Sequence, residues 1–407
     1  MDRREKRIVY LTSSVHGLVH MHMLAFAAVN ILMASDLGIS ITAIGFVGTI
    51  GYFLFGLGAL PAGFAVDAIG ARRVIALCAA GIAVADLIIA LAPDAFWSMA
   101  GLALLGVSGS VYHPSGLGLI SRNVRKTGLA MGIHGVFGNT GLAMGPLVAG
   151  FVASMFGWRW AYIWMFLPMA VLAVAYFLIR FGDVGEDKTD AEPAPERRFG
   201  RGLLPLLLLV ICLQSLSGFI YRSSITFMPA HAATAISGWF SGLDPIARGG
   251  LLTGIIFIAG AVGQYLAGAA TSRFRTETLQ IVCAVAVVPL LAGMGLLSGL
   301  PLLATSMAYA FVFFGMQPLG NALIAKYSPA GVRGRSYGLS FFISFGVGAF
   351  GSGFAGYVGE HTGFADVYLW LALIACLSLS LAALILVRAI KVGRRMEARE
   401  KLLAAQV

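Results

Sequence analysis

Charged residues are scarce in this sequence. Asp, Glu, Lys and Arg make up 11% of the 407 residues, whereas 59% are hydrophobic. Soluble domains have roughly 25% charged residues, because a surface that faces water must be polar. A surface that faces lipid is apolar instead. The composition therefore excludes a soluble globular protein and, with a mean hydropathy of +0.88, indicates a protein embedded in a bilayer.

Acidic residues are the scarcer of the two charge types, since 18 Asp and Glu residues stand against 28 Lys and Arg residues. In a soluble protein this excess of positive charge would suggest a nucleic-acid partner. Here the basic residues form short clusters between apolar runs, which is typical of loops that set the orientation of a membrane protein. We therefore expect a lipid bilayer, and no nucleic acid, among the partners.

Cysteine is also rare, and the four cysteines all lie within apolar runs, with none paired at metal-ligand spacing. They are Cys78, Cys212, Cys283 and Cys376. This pattern favours free thiols over a disulfide framework or a zinc site. We expect four free, buried thiols, and the chain as a whole is predicted to have no resident metal and no cofactor.

Long apolar runs are what the sequence has in abundance. A helix needs about 20 apolar residues to span a bilayer. Twelve such segments, called helices 1 to 12, are predicted at 8–34, 41–66, 73–92, 96–121, 126–156, 158–181, 203–230, 249–272, 277–298, 301–326, 333–359 and 364–392. With the N-terminus inside, all Lys and Arg residues except Arg159, Arg222 and Arg248 fall at the cytoplasmic side. Because basic loops stay in the cytoplasm, we predict an all-α membrane protein with both termini cytoplasmic.

A polar stretch divides the chain near its midpoint. Residues 182–202 contain an acidic run, two prolines and a basic run, so they are predicted to be a cytoplasmic linker between an N-terminal bundle, 1–181, and a C-terminal bundle with a cytoplasmic tail, 203–407. An internal repeat supports this division. The residues with an identical residue 206 positions later are Gly128, Gly132, Gly145, Gly150, Gly157, Tyr162 and Trp164. Six helices separate the equivalents, which predicts two pseudo-symmetric six-helix bundles in the same orientation.

The loop after helix 2 has the sequence GFAVDAIGARR over residues 63–73. A carboxylate at a helix end, here Asp67, followed by a Gly turn and the basic pair Arg72 and Arg73, can bind neighbouring helix termini in one conformation and release them in another. We predict a gate. The loop resembles the G-x-x-x-D-x-x-G-x-[KR]-[KR] signature of the major facilitator superfamily, and the resemblance implies the fold of that family and transport by alternating access.

Helix 5 carries small residues at regular intervals, which allow a neighbouring helix to approach closely. Gly132, Gly141, Gly145, Pro146 and Gly150 resemble the G-x8-G-x3-G-P-x2-G-G motif of antiporters in the superfamily, with Ala in place of one Gly. In that family the motif accompanies export, whereas taken alone it indicates only helix packing.

A closer resemblance runs from the aromatic-His-Pro step of helix 4, Tyr112-His113-Pro114, to Gly145-Pro146-Leu147 in helix 5. These residues are similar to the fosmidomycin-resistance group of the superfamily. The resemblance implies a drug or metabolite exporter driven by proton antiport. The family's helix 4 arginine has no counterpart between residues 96 and 121, so a proton relay must use other groups.

Two charged residues lie well inside the predicted helices and away from their ends, in the bilayer interior, where ionisable groups are expensive and mark functional sites. Asp86 in helix 3 is either a proton site or hydrogen-bonded to a neighbouring helix. Arg222 in helix 7 lies beside Tyr221 and near Gln214. In the superfamily helices 1, 4, 7 and 10 line the cavity, so Arg222 would offer a fork of donors to a carboxylate or phosphonate. The alternative is that Arg222 extends to the outer membrane interface.

Histidines are concentrated in the first half. At 100° per residue, His16 and His20 share one face of helix 1, and His22 points the opposite way. Such groups can carry protons or bind substrate. A metal at the His-x3-His spacing is conceivable, but no Asp, Glu or Cys accompanies it on helix 1, and hydrogen-bonded cavity histidines are the alternative.

Prolines in helices 4 and 10 occupy equivalent places. His113-Pro114 lies 204 positions before Gln317-Pro318, and each proline frees a carbonyl one turn earlier. Paired interruptions of this kind point to a binding region, although simple kinks without ligand contact are the other interpretation.

These patterns predict a proton-coupled exporter of a small anionic or zwitterionic drug or metabolite, acting as a monomer in a bacterial cytoplasmic membrane. The predicted substrate-binding residues are His16, His20, Tyr112, His113, Gln214, Tyr221, Arg222 and Gln317. The predicted proton-coupling residues are Asp86, His20 and His134, and the predicted gate residues are Asp67, Arg72 and Arg73. Uptake symport of small organic anions and export of a metal or metal chelate are the alternatives. A membrane enzyme is disfavoured, because no nucleophile with a base and no multi-ligand metal site is visible in the sequence.

Overall fold

In the part of the chain that the structure describes, twelve helices are long and apolar enough to cross a membrane. The computed structural model describes residues 1–179, 202–236, 238, 240–329 and 333–404. The helices are α1 Arg3–Asp36, α2 Ile41–Gly58, α3 Ala71–Ala90, α4 Ala95–Asn123, α5 Thr127–Phe156, α6 Trp158–Leu178, α7 Leu203–Thr226, α8 Pro245–Ala270, α9 Thr276–Leu296, α10 Gly299–Tyr327, α11 Arg335–His361 and α12 Phe364–Ala404. The twelve predicted segments are confirmed. The predicted linker lies outside the described residues except for Gly202.

Two predicted segments are divided in the structure. Helix 2 was expected to run to residue 66, but α2 ends at Gly58 and a short helix, Ala62–Ile69, follows Pro61. A second short helix, Met228–Ala235, follows α7. Pro61 cannot donate to the helix ladder, which explains the interruption at this point.

The same helix pairs pack in both halves. α1 packs on α5, α2 on α4 and α3 on α6, and the equivalent pairs in the second half are α7 with α11, α8 with α10 and α9 with α12. The turns that precede α6 and α12 are equivalent as well, because Gly157 and Gly363 both have positive φ, +90° and +110°, a conformation that favours glycine. The protein therefore consists of two pseudo-symmetric six-helix bundles.

The halves meet along two seams, α2 with α11 and α5 with α8. A Cβ on Gly150 of α5 would lie 2.9 Å from the Ile246 carbonyl oxygen and 3.1 Å from Gly250 Cα. A Cβ on Gly45 of α2 would lie 2.8 Å from the Ser352 carbonyl oxygen. Both contacts lie near the end of the bundle opposite the start of α1, called the far end below; the other is called the terminal end.

Hydrogen bonds between the halves lie toward the far end as well. The Asn30 amide donates to the Thr226 carbonyl oxygen at 2.7 Å. The Thr42 backbone N–H donates to a carboxylate oxygen of Glu360, also at 2.7 Å. Backbone packing and hydrogen bonds together close the molecule at the far end.

The helices of the centre are distorted unequally. α4 is interrupted at Val111, close to the carbonyl that Pro114 leaves without its donor, as predicted. The expected matching interruption of helix 10 is wrong, because α10 continues through Pro318. The second half is instead distorted in α11, which contains a π turn at Phe342–Gly346 followed by a 3₁₀ turn.

The outer surface of the bundle is apolar, as a surface that faces lipid requires. Leu91, Leu178 and Tyr265 are 75%, 74% and 75% exposed. The four cysteines are free, but the prediction that all are buried is wrong. Cys212 and Cys376 are exposed because they lie on the outer faces of α7 and α12.

Candidate functional site

A cavity of about 310 Å³ lies between the two halves. Its size falls within the range of small-molecule binding sites. Among the described residues its wall comes from α1, α2, α4, α5, α7, α8, α10 and α11. The resemblance to the superfamily implied helices 1, 4, 7 and 10, and these four do contribute. The wall continues toward the terminal end through Leu117, Asn321 and Ser340.

Four histidines form one wall of the cavity, in the N-terminal half. His16 and His20 extend from α1, one helical turn apart, and their Nε2 atoms are 3.1 Å apart. His113 comes from the α4 interruption, and its ring centroid lies 5.1 Å from that of His16 and 5.3 Å from that of His20. His134 of α5 stacks on His16 at 3.9 Å.

His16 is fixed by a hydrogen bond to the backbone. Its Nδ1 lies 2.8 Å from the His134 carbonyl oxygen. A carbonyl oxygen can only accept, so the neutral His16 ring carries its proton on Nδ1 and presents the lone pair of Nε2 to the cavity. Gly138 permits this ring position, because a Cβ there would lie only 2.7 Å from Nδ1.

Tyr112 does not lie on the cavity wall, and its predicted role in substrate contact needs correction. Its side chain is fully buried, and its hydroxyl donates to the Thr12 carbonyl oxygen. The hydroxyl also lies 3.1 Å from Nε2 of His134. Tyr112 therefore packs behind His16 and holds α4 against α1.

Arg222 of α7 lies on the wall contributed by the C-terminal half. Its guanidinium carbon lies 3.3 Å from the centroid of the Tyr52 ring and 5.5 Å from that of Tyr221. Arg222 is only 5% exposed, and its Nη1 has no hydrogen-bond partner among the described residues. It points into the protein, so the alternative of extension to the membrane interface does not describe this structure.

Polar amides complete the wall beside Arg222. The Gln264 amide donates to the Gln317 side-chain oxygen at 2.9 Å, and Gln214 packs against Gly320 of α10. No Asp or Glu lines the cavity in the part of the chain that the structure describes. The described wall of the cavity therefore combines a cation, amides and imidazoles without a carboxylate to balance the charge.

Asp86 lies behind the cavity, paired with His22. The Asp86 Oδ2 and His22 Nε2 atoms are 2.9 Å apart, and both side chains are fully buried. His22 Nδ1 lies 2.6 Å from the Leu18 carbonyl oxygen and must donate its proton there. A hydrogen bond between Nε2 and the carboxylate therefore requires one further proton, on either partner. The pair is a site for one proton.

His22 was predicted to point away from the helix 1 face that carries His16 and His20, and it does. Asp86 was not predicted to be its partner. The signal was present, since a buried carboxylate needs a partner and His22 was the histidine left off the cavity face of helix 1. A small void of about 10 Å³, the size of one water, is lined by both His22 and Tyr52. The Tyr52 ring in turn lies against Arg222, so the proton site and the cavity are linked by a short chain of contacts.

The predicted gate residues lie at the terminal end. Asp67 and Arg73 are exposed. Arg72 Nη1 donates to the carbonyl oxygens of Tyr176 and Ile179, at 2.9 Å and 3.0 Å. Arg72 therefore binds the C-terminus of α6, where a cation is favourable. An ion pair between Asp67 and Arg72 is not formed in this structure.

Three histidines outside the cavity cluster have structural partners. His22 pairs with Asp86 as described. His231, in the short helix after α7, lies 3.0 Å from the Met294 carbonyl oxygen through Nε2, and burial lowers its pKa. His361 lies 2.8 Å from the Tyr357 carbonyl oxygen through Nδ1.

Comparison with curated proteins finds short stretches of similarity. The puromycin resistance protein of Streptomyces alboniger is 34% identical over 152 residues, 36% of this chain and 30% of that protein. The probable actinorhodin transporter of Streptomyces coelicolor is 32% identical over 146 residues, 34% of this chain and 25% of that protein. The similarity thus spans less than a third of the length of either relative.

Comparison with solved structures covers almost the whole chain. A bacterial homologue of the human lysosomal transporter Spinster, in an inward-facing and unoccupied conformation, matches with a TM-score of 0.77 at 14% identity, over 96% of this chain and 98% of that one. A D-xylose-proton symporter matches with a TM-score of 0.74 at 15% identity, over 93% and 96%. At such identities the likeness shows the fold alone.

The family follows from the sequence match. Residues 15–352 match the sequence model of the Major Facilitator Superfamily, and the fold agrees. This family and this fold are those of membrane transporters rather than enzymes. With twelve spanning helices among its described residues, arranged in two pseudo-symmetric bundles around a central cavity, the chain belongs to the Major Facilitator Superfamily.

Proposed function

We propose that the protein is a proton-coupled exporter of a small anionic or zwitterionic organic molecule and works as an antiporter by alternating access. The observation that carries the proposal is the guanidinium of Arg222, which stacks on the Tyr52 ring but has no hydrogen-bond partner for Nη1 among the described residues, in a cavity whose described wall has no carboxylate. A buried cation without an anionic partner is unfavourable. A carboxylate or phosphonate on the cargo would supply the missing partner, with bidentate geometry.

Export is supported by the names of the relatives and by the resemblance of helix 5 to the antiporter motif. The names of several relatives contain resistance or efflux, including a multidrug efflux pump of Mycolicibacterium smegmatis that is 35% identical over 113 residues. In α5, Gly141 and Gly145 lie against the backbone of α1, and Gly150 lies against α8. Gly141, Gly145 and Gly150 therefore allow α5 to pack closely against its own half and against the other half, whereas no atom lies within 4 Å of a Cβ at Gly132. The resemblance to the fosmidomycin-resistance group remains a prediction.

The distribution of Lys and Arg supports a cytoplasmic location of both termini, in the cytoplasmic membrane of a bacterium. In that orientation the far end faces outward, and the cavity wall continues toward the cytoplasm. We further propose that the monomer is the functional unit, because the cavity is lined by helices of both halves of one chain. Uptake symport uses the same elements, and the direction of proton-driven flux in oriented vesicles distinguishes the two.

Arg222 is tested by ligand pairs that differ in charge. We expect a panel of carboxylate and phosphonate antibiotics to stabilise the purified protein against thermal unfolding, and the methyl esters of the same compounds to do so much less. Arg222→Gln should weaken binding of the acids by roughly ten- to a hundredfold, the equivalent of about 1.5–3 kcal/mol for a charged hydrogen bond. The weak binding of the esters should not change. Equal losses for acids and esters would contradict the proposal.

The pair of Asp86 and His22 is proposed as the coupling site. Coupling requires that proton and substrate favour opposite states. The pair takes up one proton, and its influence reaches Arg222 through the water-sized void and Tyr52. The Tyr52 hydroxyl donates to the Met23 carbonyl oxygen at 3.0 Å, which fixes the ring between the two sites.

Asp86→Asn tests the coupling, because the Asn amide can donate its own N–H to His22 Nε2, so that the hydrogen bond no longer requires the further proton. In liposomes we expect the variant to lose accumulation driven by a pH gradient, at least about tenfold, while exchange of labelled for unlabelled substrate continues without a gradient. His20→Gln and His134→Gln are the comparison variants, since both histidines were predicted as proton sites. If these two lose gradient-driven transport and Asp86→Asn keeps it, the proton site lies in the cavity wall instead.

A further inference from the structure

Three imidazoles converge on one point of the cavity wall. One ring nitrogen from each of His16, His20 and His113 lies within 4.8 Å of the other two. Two nitrogens bound to one tetrahedral Zn²⁺ at 2.0–2.1 Å are about 3.4 Å apart. The 3.1 Å between Nε2 of His16 and Nε2 of His20 is close to that value.

The orientation of His16 is the one that a metal ligand requires. A ligating imidazole almost always donates its other N–H to a carbonyl or carboxylate, which fixes its tautomer. His16 does so through Nδ1 to the His134 carbonyl oxygen, and the His134 ring stacks on it at 3.9 Å. His134 itself is occupied, since its Nε2 lies 3.1 Å from the Tyr112 hydroxyl. His16, His20 and His113 are therefore the candidate ligands, and His134 is a supporting residue.

We propose that His16, His20 and His113 form a binding site for a divalent transition-metal ion of the Zn²⁺ class, with one coordination position open to the cavity. Imidazole nitrogens suit Zn²⁺, Co²⁺, Ni²⁺ and Cu²⁺, whereas Mg²⁺ and Ca²⁺ require oxygen ligands. Three protein ligands and one open position are the arrangement in which a metal ion binds a further, exchangeable molecule.

The charge of the cavity indicates what fills the open position. Three neutral imidazoles leave the +2 charge of the ion unbalanced, and no acidic side chain lines the described cavity wall. Arg222 on the opposite wall adds a further positive charge. An oxygen donor of an anionic cargo would balance both, so the cargo is inferred to be an acid that chelates the ion. This step rests on the proposed function, whereas binding of the ion alone does not.

The site is tested with Co²⁺ alone, on the full chain in detergent after removal of any histidine tag. We expect one Co²⁺ per monomer, with the intense visible absorption of a four-coordinate ion. His20→Gln and His113→Gln should each lower the Co²⁺ affinity at least tenfold. His361→Gln is the matched control and should bind as the wild type does, because His361 lies at the far end with its own partner.

The outcomes separate the site from its alternatives. Equal binding by wild type and both cavity variants, or no four-coordinate spectrum, would overturn the proposal. Monodisperse elution of each variant shows that a loss of affinity does not come from unfolding. An acid that needs Arg222 for binding should also shift the Co²⁺ absorption when added to the loaded protein. If Co²⁺ does not bind but the acid still requires Arg222, the metal site is wrong and the proposed function stands.

Discussion

Gly138 determines where the His16 ring can lie. A Cβ at this position would clash with the ring at Cε1 and at Nδ1, 2.7 Å away, and would lie 3.0 Å from Nε2. The ring is buried and held by its hydrogen bond to the His134 carbonyl oxygen, so it cannot move without losing that bond. The histidine wall therefore requires a residue without a side chain at position 138 of α5, because the His16 ring of α1 fills that space.

Gly138→Ala is therefore expected to displace His16. The Co²⁺ affinity should fall at least tenfold, and stability should fall by about 1–3 kcal/mol, as is typical of an overpacked core. Gly132→Ala, on the same helix, is the control, because no atom lies within 4 Å of a Cβ there. Metal titration and thermal unfolding of both variants measure the effect. Unchanged Co²⁺ binding in Gly138→Ala would show that the His16 position does not matter.

At the scale of the helix, the sequence predicts spans well and their distortions poorly. Apolar runs and the placement of Lys and Arg depend on the solvent, and lipid imposes a uniform requirement on each span. The interruption of α4 was also predictable, because Pro114 acts on its own helix. The π turn of α11 was not, since it depends on contacts with other helices. Gly346 in that turn packs against Gly56 of α2.

In the site as well, features set by local sequence were predicted, whereas features set by packing between distant helices were not. His16 and His20 were predicted to share a face because helical periodicity is local. Their meeting with His113, and the meeting of His22 with Asp86, depend on how α1 packs against α4 and α3. Arg222 was identified by its charge, but its contact with Tyr52 joins the two halves. Tyr112 was predicted to contact substrate, but it is buried behind His16. A motif gives residue types and not the direction in which a side chain points.

At the scale of the whole molecule, the structure is closed at the far end by two seams of backbone contact. The seams are equivalent under the internal symmetry, since α2 and α11 correspond to α8 and α5. Closely packed surfaces have a few discrete arrangements rather than a continuous range. A change that prevents one seam from closing should therefore shift the molecule toward a state in which the far end is open.

Gly150→Ala is such a change, because the added Cβ would lie 2.9 Å from the Ile246 carbonyl oxygen of the other half. An overpacking penalty of about 1–2 kcal/mol at this seam changes the ratio of two states roughly 5- to 30-fold. Thr49 reports on the change: it is buried at the interface, and its hydroxyl lies 3.2 Å from the Gly353 backbone N–H.

In a background without the four native cysteines, we expect Thr49→Cys to react slowly with an impermeant thiol reagent applied at the far end. Gly150→Ala should accelerate this reaction several-fold and slow the reaction of Asn321→Cys, on the cavity wall toward the terminal end, with reagent applied at that side. Gly132→Ala should change neither rate. Rocking of two rigid bundles opens one end only as it closes the other. Faster labelling at both ends would therefore indicate general loosening of the structure and would contradict the rocking motion.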